Sequence, residues 1–378
     1  DWKSFKQTAA FLWKYRRIRG KLYRLIDLFT MSADDYLSEW FENTHVKAVL
    51  AYYCGIGTFV GPKSPGSAYV VSHHLMGEHA GAGGWGFARG GMGTITQAIA
   101  SYGRSKGLEI RTNAEVTGID TADGKVTGVT LADGSRVQAP IVASNVSAKL
   151  TFLEFLPRAV LPAEFVRDIE SYRTYSTAFK INIACERLPQ FASFDAAACG
   201  FAYPTYTHIG PTIEYLEQAY EDAKAGNWSR DPFVTVVTPS HVDNTISPPG
   251  KHVVHLFGGH APYTLRDGDW ATRKDDFAKN VLRVVDEHAP GFSAGIIGMQ
   301  VLTPPDIEAI IGSPHGHIFH GELQVDQLFF ARPAPHYADY RSPIRGLYQC
   351  GSSAHPGGGV GGVVGHNAAR EILKDRRR

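Results

Sequence analysis

The chain has 378 residues, enough to bury a sizeable core as one very large domain or two interleaved ones. Lys plus Arg number 38 against 37 acidic residues, a formal charge of +1, which excludes a chain-wide nucleic-acid surface. The four cysteines, Cys54, Cys185, Cys199 and Cys350, show no C-x-x-C spacing, so neither a disulfide framework nor a thiol redox pair is encoded and a reducing, cytoplasmic setting is expected.

Residues 1–80 read as mainly helical, and no apolar run reaches the roughly 18 residues of a membrane span. The first 30 positions place Lys3, Lys6, Lys14, Arg16, Arg17, Arg19, Lys21 and Arg24 among Trp2, Phe5, Leu12, Trp13, Leu22, Leu25 and Phe29. This basic amphipathic stretch has two readings, a surface in peripheral contact with anionic membrane or a cap helix burying one face. A glycine cluster follows, in which Gly81, Gly83 and Gly86 match G-x-G-x-x-G. Nothing before it alternates like a strand, so it is not a dinucleotide-binding start. A helix carrying Ile95, Ala98, Ile99 and Tyr102 on one face comes next, then a short strand over Leu108 to Thr112. Glu115 to Asp120, Lys125 to Leu131 and Arg136 to Val142 read as a β-meander with Asp-Gly turns. From 151 to 330, strand-like runs (Ala178 to Ala184, Phe233 to Val237, Val253 to Phe257, Ile296 to Val301) alternate with helical ones (Ile213 to Ala225, Trp270 to His288). That pattern predicts an antiparallel sheet with helices on one face.

The most informative stretch is the last, Gly346 to Leu373: strand, glycine loop, helix. Gly357, Gly358, Gly359, Gly361, Gly362 and Gly365 crowd together before helical spacing resumes. Such a loop lets backbone approach a ligand, and the following helix turns its N–H groups and dipole toward an anion, for which a pyrophosphate is the natural guest.

At these residues the chain resembles a known family. RPAPHYADYRSPIRGLYQCGSSAHPGGGVGGVVGHNAA closely resembles the C-terminal flavin segment of phytoene desaturase-like FAD-dependent oxidoreductases. RGGMGTITQAIASYGRSKGLEIRTNAEVTGIDTADGKVTGVTLADGSRVQAPIVASN resembles their second flavin segment, and PGKHVVHLFGGHAPY and HGHIFHGELQVDQLFFARP resemble their substrate domain. The resemblance implies an α/β plus α+β architecture. A three-layer FAD/NAD(P)-binding-like domain is interleaved with an antiparallel-sheet-and-helix substrate domain, divided as a helical cap (1–84), a flavin segment (85–150), the substrate domain (151–330) and a final flavin segment (331–378). No stretch matches the family's opening βαβ unit, so the flavin domain is expected to be incomplete at its N-terminal side and these 378 residues alone to hold FAD weakly.

The resemblance further implies that Gly351, Ser352, Gly359, Val360, Gly361 and Gly362 contact ribityl and pyrophosphate and that Val116 holds adenine through its backbone. His355 falls where the flavin ring lies, and His320 is a candidate wall of the substrate site. His315, His317, His320 and Glu322 could suggest a metal, but His-x-His on a strand aims His320 elsewhere, and no metal is expected. The adjacent His73 and His74 should face apart. No G-x-S-x-G elbow, P-loop or nucleophile triad occurs, and no catalytic side chain is assigned. The implied function is hydride removal from an apolar, carotenoid- or isoprenoid-like small molecule by FAD, with a quinone or oxygen as electron acceptor. The alternatives are a flavin-dependent amine oxidase, an isomerase, or a non-catalytic binding or assembly protein that keeps the fold.

Overall fold

The computed structural model describes residues 19–75 and 86–377, together with Ala9 and Trp13. The basic stretch before residue 19 and the glycines at 81 and 83 thus lie outside the described residues. From residue 19 on, the described residues begin with four short helices: α1 (Leu22–Thr30), α2 (Ala33–Ser38), α3 (Thr44–Ala51) and α4 (Ser67–His74). Ser32 caps α2 through Asp35 N–H, and Asn43 caps α3 through His45 and Val46 N–H. Arg24, within the basic stretch, donates to Glu39 at 2.9 Å and lies over the Trp40 ring.

Helix α5 (Gly93–Ser105) keeps its predicted place, yet none of its residues is buried, and Ile99 and Tyr102 are 66% and 67% exposed. The strand expected over Leu108 to Thr112 does not form. Residues 106–108 instead close the helix, with Lys106 N–H and Leu108 N–H donating to Gly103 C=O and Gly107 N–H to Arg104 C=O. The meander is present as β1 (Val116–Ala122), β2 (Lys125–Leu131) and β3 (Arg136–Gln138), all antiparallel. The strand expected to run to Val142 breaks at Pro140, which has no N–H for a ladder. Chain direction resumes as β4 (Val142–Ser144).

After α6 (Ala163–Ser171) come β5 (Phe179–Cys185), β6 (Tyr206–Ile209), α7 (Ile213–Lys224), β7 (Val234–Val237), β8 (His252–Gly258), α8 (Trp270–His288) and β9 (Ile296–Leu302). The five strands form one antiparallel sheet in the order β6-β7-β8-β5-β9. Phe179, Ile181 and Ile183 alternate onto one face and pack with Phe277, Val281 and Val285 of α8. Asp269 caps α8 through Thr272 N–H at 2.8 Å. The antiparallel sheet expected of the substrate region is therefore observed, with the two sequence-read helices in place.

α9 (Pro304–Ile311) leads into an irregular segment, and β10 (Leu347–Gln349) then pairs in parallel with β4. The last helix, α10 (Val363–Asp375), is clamped at its C-terminal end. Arg341 reaches Asp375 through Nε and Nη2 at 2.8 and 2.9 Å and Glu371 at 2.7 Å, and Tyr348 Oη donates to Asp375. That bidentate network fixes the helix axis and leaves its N-terminus facing outward. Among the described residues no helix is long and apolar enough to cross a membrane.

Candidate functional site

Strands β4 and β10 deliver the chain to a tight turn at Gly351, Ser352 and Ser353. A Cβ on Gly351 would lie closer than 3.0 Å to the Asn145 carbonyl, so backbone meets backbone there and only glycine fits. Ala148 N–H donates to Ser353 Oγ at 2.9 Å, and Ser353 Oγ donates to His320 C=O at 3.2 Å. The Ser352 carbonyl accepts from Arg332 Nε and Nη2 at 3.2 and 2.9 Å.

Arg332 is the centre of this arrangement and is 0% exposed. Its guanidinium also donates to the carbonyls of Phe319 (3.0 Å), Gly321 (3.1 Å), Glu322 (3.0 Å) and Gln327 (3.5 Å). Backbone carbonyls rather than a carboxylate thus satisfy the charge, and its field remains uncancelled locally. The consequence is legible in the histidines. Burial first, then the Arg332 charge, lowers the pKa of His317 to about 3 and depresses those of His320 and His355. His73 is lowered by burial and by Arg332, against its bond to Gly358, and burial takes His74 to about 4.

The histidines form a wall. His73 Nε2 donates to Gly358 C=O at 3.3 Å, and the His73 and His74 rings lie 6.3 and 5.9 Å from Phe319. The expectation that His73 and His74 face apart is corrected: both sit in the last turn of α4 against the same phenylalanine. Phe319 itself packs on Gly358, where a Cβ would intrude closer than 3.0 Å to its ring. His315 and His317 lie in and just after a short 3-10 turn rather than on a strand. His317 Nδ1 accepts the N–H groups of Phe319 and Gly321, both at 3.1 Å, and is a fully buried structural acceptor. Among the described residues no three His, Cys, Asp or Glu side chains are grouped to hold a metal.

Beyond Gly358 the loop opens. Gly359, Val360, Gly361 and Gly362 are exposed, Val360 at 77%. No atom of the described residues lies within 4 Å of where a Cβ would sit on Gly359 or Gly362, and Gly359 has φ +144, a conformation side chains oppose. Gly362 begins α10 without a capping side chain, so among the described residues no side chain takes up the first-turn N–H groups. Nearby, Gln349 is 2% exposed, and neither atom of its amide has a partner. An open glycine cradle, uncapped helix donors and an orphaned amide fit an anionic, hydrogen-bonding cofactor such as FAD. His320 and His355 border this ground, each with an unpartnered Nδ1, and the His355 ring lies 5.7 Å from Phe329. Val116 opens β1 on the separate meander sheet, and no hydrogen bond among the described residues joins it to the glycine loop. Sequence reasoning passed over Arg332 and Ser353. The FFARP and CGSSAH strings containing them were in view, but nothing in a string marks an arginine as fully buried.

These neutral imidazoles carry a pH dependence. His317 and His260 titrate at about 3 and His74, His208 and His255 at about 4 when folded, whereas unfolded imidazoles protonate near 6.5. Between those values the unfolded chain binds more protons. Stability is therefore complete above about pH 6.5 and drains as pH falls toward about 4. Thermal melts from pH 7.5 down to 4.5 should show a steady decline, and a flat profile over that interval would show that these buried histidines are not held neutral.

Comparison with known proteins gives the family and the fold. The sequence profile described as "Flavin containing amine oxidoreductase" matches residues 20–237. Pyridine nucleotide-disulfide oxidoreductase domain-containing protein 2 of Rattus norvegicus is 41% identical over 369 residues, covering 95% of this chain and 63% of the relative. The chain thus spans less than two thirds of that protein's length. A lycopene-forming phytoene desaturase of Paracoccus sp. is 28% identical over 305 residues, covering 80% of this chain and 57% of the relative. Among solved structures, an oxidoreductase from Methanosarcina mazei superposes with TM-score 0.58 at 17% identity over 99% of this chain and 73% of that one, a likeness of fold. With more than half its length matched by that profile, the chain belongs to the family of flavin-containing amine oxidoreductases, whose cofactor is FAD.

Proposed function

We propose that this chain supplies the substrate chamber and the loop over the cofactor of an FAD-dependent oxidoreductase that oxidises a C–H bond of a largely apolar small molecule. The observation that carries the reading is the open, uncapped Gly359–Gly362 cradle beside a wall of histidines held neutral by burial and Arg332. When bound, FAD supplies the hydride acceptor, which the protein's own side chains cannot. The residues then have separable tasks: the α10 N-terminus and the glycine backbone bind the anionic part, and Phe319, His73 and His74 exclude water. Arg332 fixes the turn at Ser352 and adds to the burial that keeps His73, His317, His320 and His355 from carrying a proton. Such a wall can present aromatic surface and lone pairs to a substrate without placing a second cation beside it.

The test is anaerobic bleaching of flavin absorption in the natural full-length protein. Isoprenoid and other extended hydrocarbon donors are expected to reduce the flavin in a substrate-dependent way, with reoxidation by a quinone or oxygen. Bleaching by simple amines alone would install amine oxidation instead. Product formed without net flavin turnover would establish isomerisation, and the absence of both would leave a binding protein.

A further inference from the structure

The five-stranded sheet has a second face, opposite α8, whose composition is unexpected for a hydrocarbon site. Directly paired residues in an antiparallel sheet share a face. The register therefore aligns His208, Thr235, Phe257, Lys180 and Leu302 in one row and Tyr206, Val237, His255, Asn182 and Gln300 in the next. Asn182 ties the second row together, its Nδ2 donating to Gln300 Oε1 and its Oδ1 accepting from His255 Nδ1, both at 3.0 Å. With Nδ1 donating and burial lowering its pKa to about 4, His255 is neutral.

Lys180 is different. It sits near the start of β5, the strand between β8 and the edge strand β9, half-buried, and its side chain has no hydrogen-bond or ion-pair partner among the described residues. Burial is the sole cause of its depressed pKa, and no carboxylate contributes. Among the described residues, other partly buried cations have partners: Lys274 has Asp306 at 2.6 Å, Arg341 has Asp375 at 2.8 Å, and Lys149 donates to the Glu170 carbonyl at 2.7 Å. A half-buried ammonium with no counter-ion on a sheet face loses part of its hydration without return.

This face is continuous with the cofactor loop. His208 Nε2 meets Tyr53 Oη at 3.5 Å, Tyr53 stacks on His74 at 5.8 Å, and His74 abuts Phe319, which packs on Gly358. An aromatic wall thus runs from the row of Lys180 to the glycine loop.

We propose that this face seats an anionic head group of the substrate, a carboxylate or a phosphate, with Lys180 as its counter-ion and the aromatic wall along the apolar body. The inference rests on the reading of this space as the substrate chamber. It narrows the substrate from a pure hydrocarbon to an acidic amphiphile and disfavours cationic amines, which Lys180 repels.

The experiment titrates the natural full-length protein by calorimetry with dodecanoate, dodecyl phosphate, dodecanol and dodecylamine, and records flavin absorption in the same samples. Expected is binding of one of the two anions at least about tenfold tighter than the alcohol, with the amine weakest; which anion wins distinguishes carboxylate from phosphate. Lys180→Met should remove that advantage while leaving dodecanol affinity within about twofold, and Lys180→Arg should keep it. Equal affinity for all four compounds, or parallel loss of anion and alcohol in Lys180→Met, overturns the inference. The comparison in unmutated protein stands even if a variant misfolds. Retained flavin without head-group discrimination defeats this inference alone, and discrimination without bound flavin defeats the oxidoreductase reading alone.

Discussion

In the natural full-length protein, Gly351→Val should be destabilised by about 3 kcal/mol or more and bind FAD poorly, whereas Gly361→Val should weaken FAD binding while melting close to the unaltered protein. The two glycines lie in one loop but answer to different neighbours. At Gly351 the new Cβ would press on the Asn145 carbonyl, fixed backbone at the end of β4 that no rotamer change can move aside. The strain must open the β4–β10 pair or break the turn that holds Ser352 on Arg332. At Gly361 the nearest atom to an added Cβ is Val363 Cγ2 at 3.7 Å, an ordinary contact. A valine there disturbs little but stands where backbone must approach a ligand, and an affinity loss of about tenfold or more is expected. Thermal unfolding and FAD titration of both variants separate the effects. If Gly361→Val binds FAD as tightly as the parent, the loop is not the cradle; if Gly351→Val melts normally, the turn is not a strut.

The parts legible in the sequence were those written in local pattern. The meander announced itself through alternation and Asp-Gly turns, α8 through apolar positions 270, 277, 281 and 285 on one stripe, and the glycine loop through composition. Helix α9 was missed although its signals are local: a capping box at Thr303 and Asp306, Pro304 at its first position and Gly312 at its end. Its length of 8 residues gave too few turns for a periodic stripe to show. β6 was missed because an edge strand of 4 residues with only Ile209 buried offers no alternation to read. At Gly351 and Ser352, where the resemblance implies cofactor contact, the structure shows a close backbone approach to Asn145 and bonds from Arg332, which no local pattern announces. The histidine wall was illegible because His73 and His74 meet Phe319 across some 245 residues of sequence, and only the fold makes that contact.

The same separation explains why the residue that organises the site gave no sequence signal. An isolated arginine beside a proline reads as a surface charge, and burying it is unfavourable unless every donor is met. Here the chain bends the carbonyls of 319, 321, 322, 327 and 352 around one guanidinium, so three stretches are tied at one point: the histidine turn, the segment after it and the flavin-side loop. The same charge depresses four imidazoles. Structural fixing and proton exclusion are therefore two effects of one group.

Arg332→Met consequently should be among the most damaging single changes in the protein. Five carbonyls would lose the Arg332 donor, and among the described residues only that of Glu322 keeps another, Gln327 Nε2 at 3.4 Å; an unpaired buried acceptor costs about 1 to 3 kcal/mol, so even with partial relaxation the loss should exceed about 4 kcal/mol. Arg332→Lys should recover little, because an ammonium offers three donors on a point charge where the planar fork serves carbonyls in several directions. It should, however, keep the positive charge. The pair of variants then separates geometry from field. In denaturant unfolding, methionine and lysine should both be strongly destabilised. In the fraction that remains folded, imidazole proton resonances should titrate at higher pH in the methionine variant, since removing a nearby cation favours His⁺, and near their original positions in the lysine variant. A loss of under about 1 kcal/mol in Arg332→Met would mean the carbonyls find other donors. Unmoved histidine titrations in the same variant would mean that burial alone, and not Arg332, keeps the wall neutral.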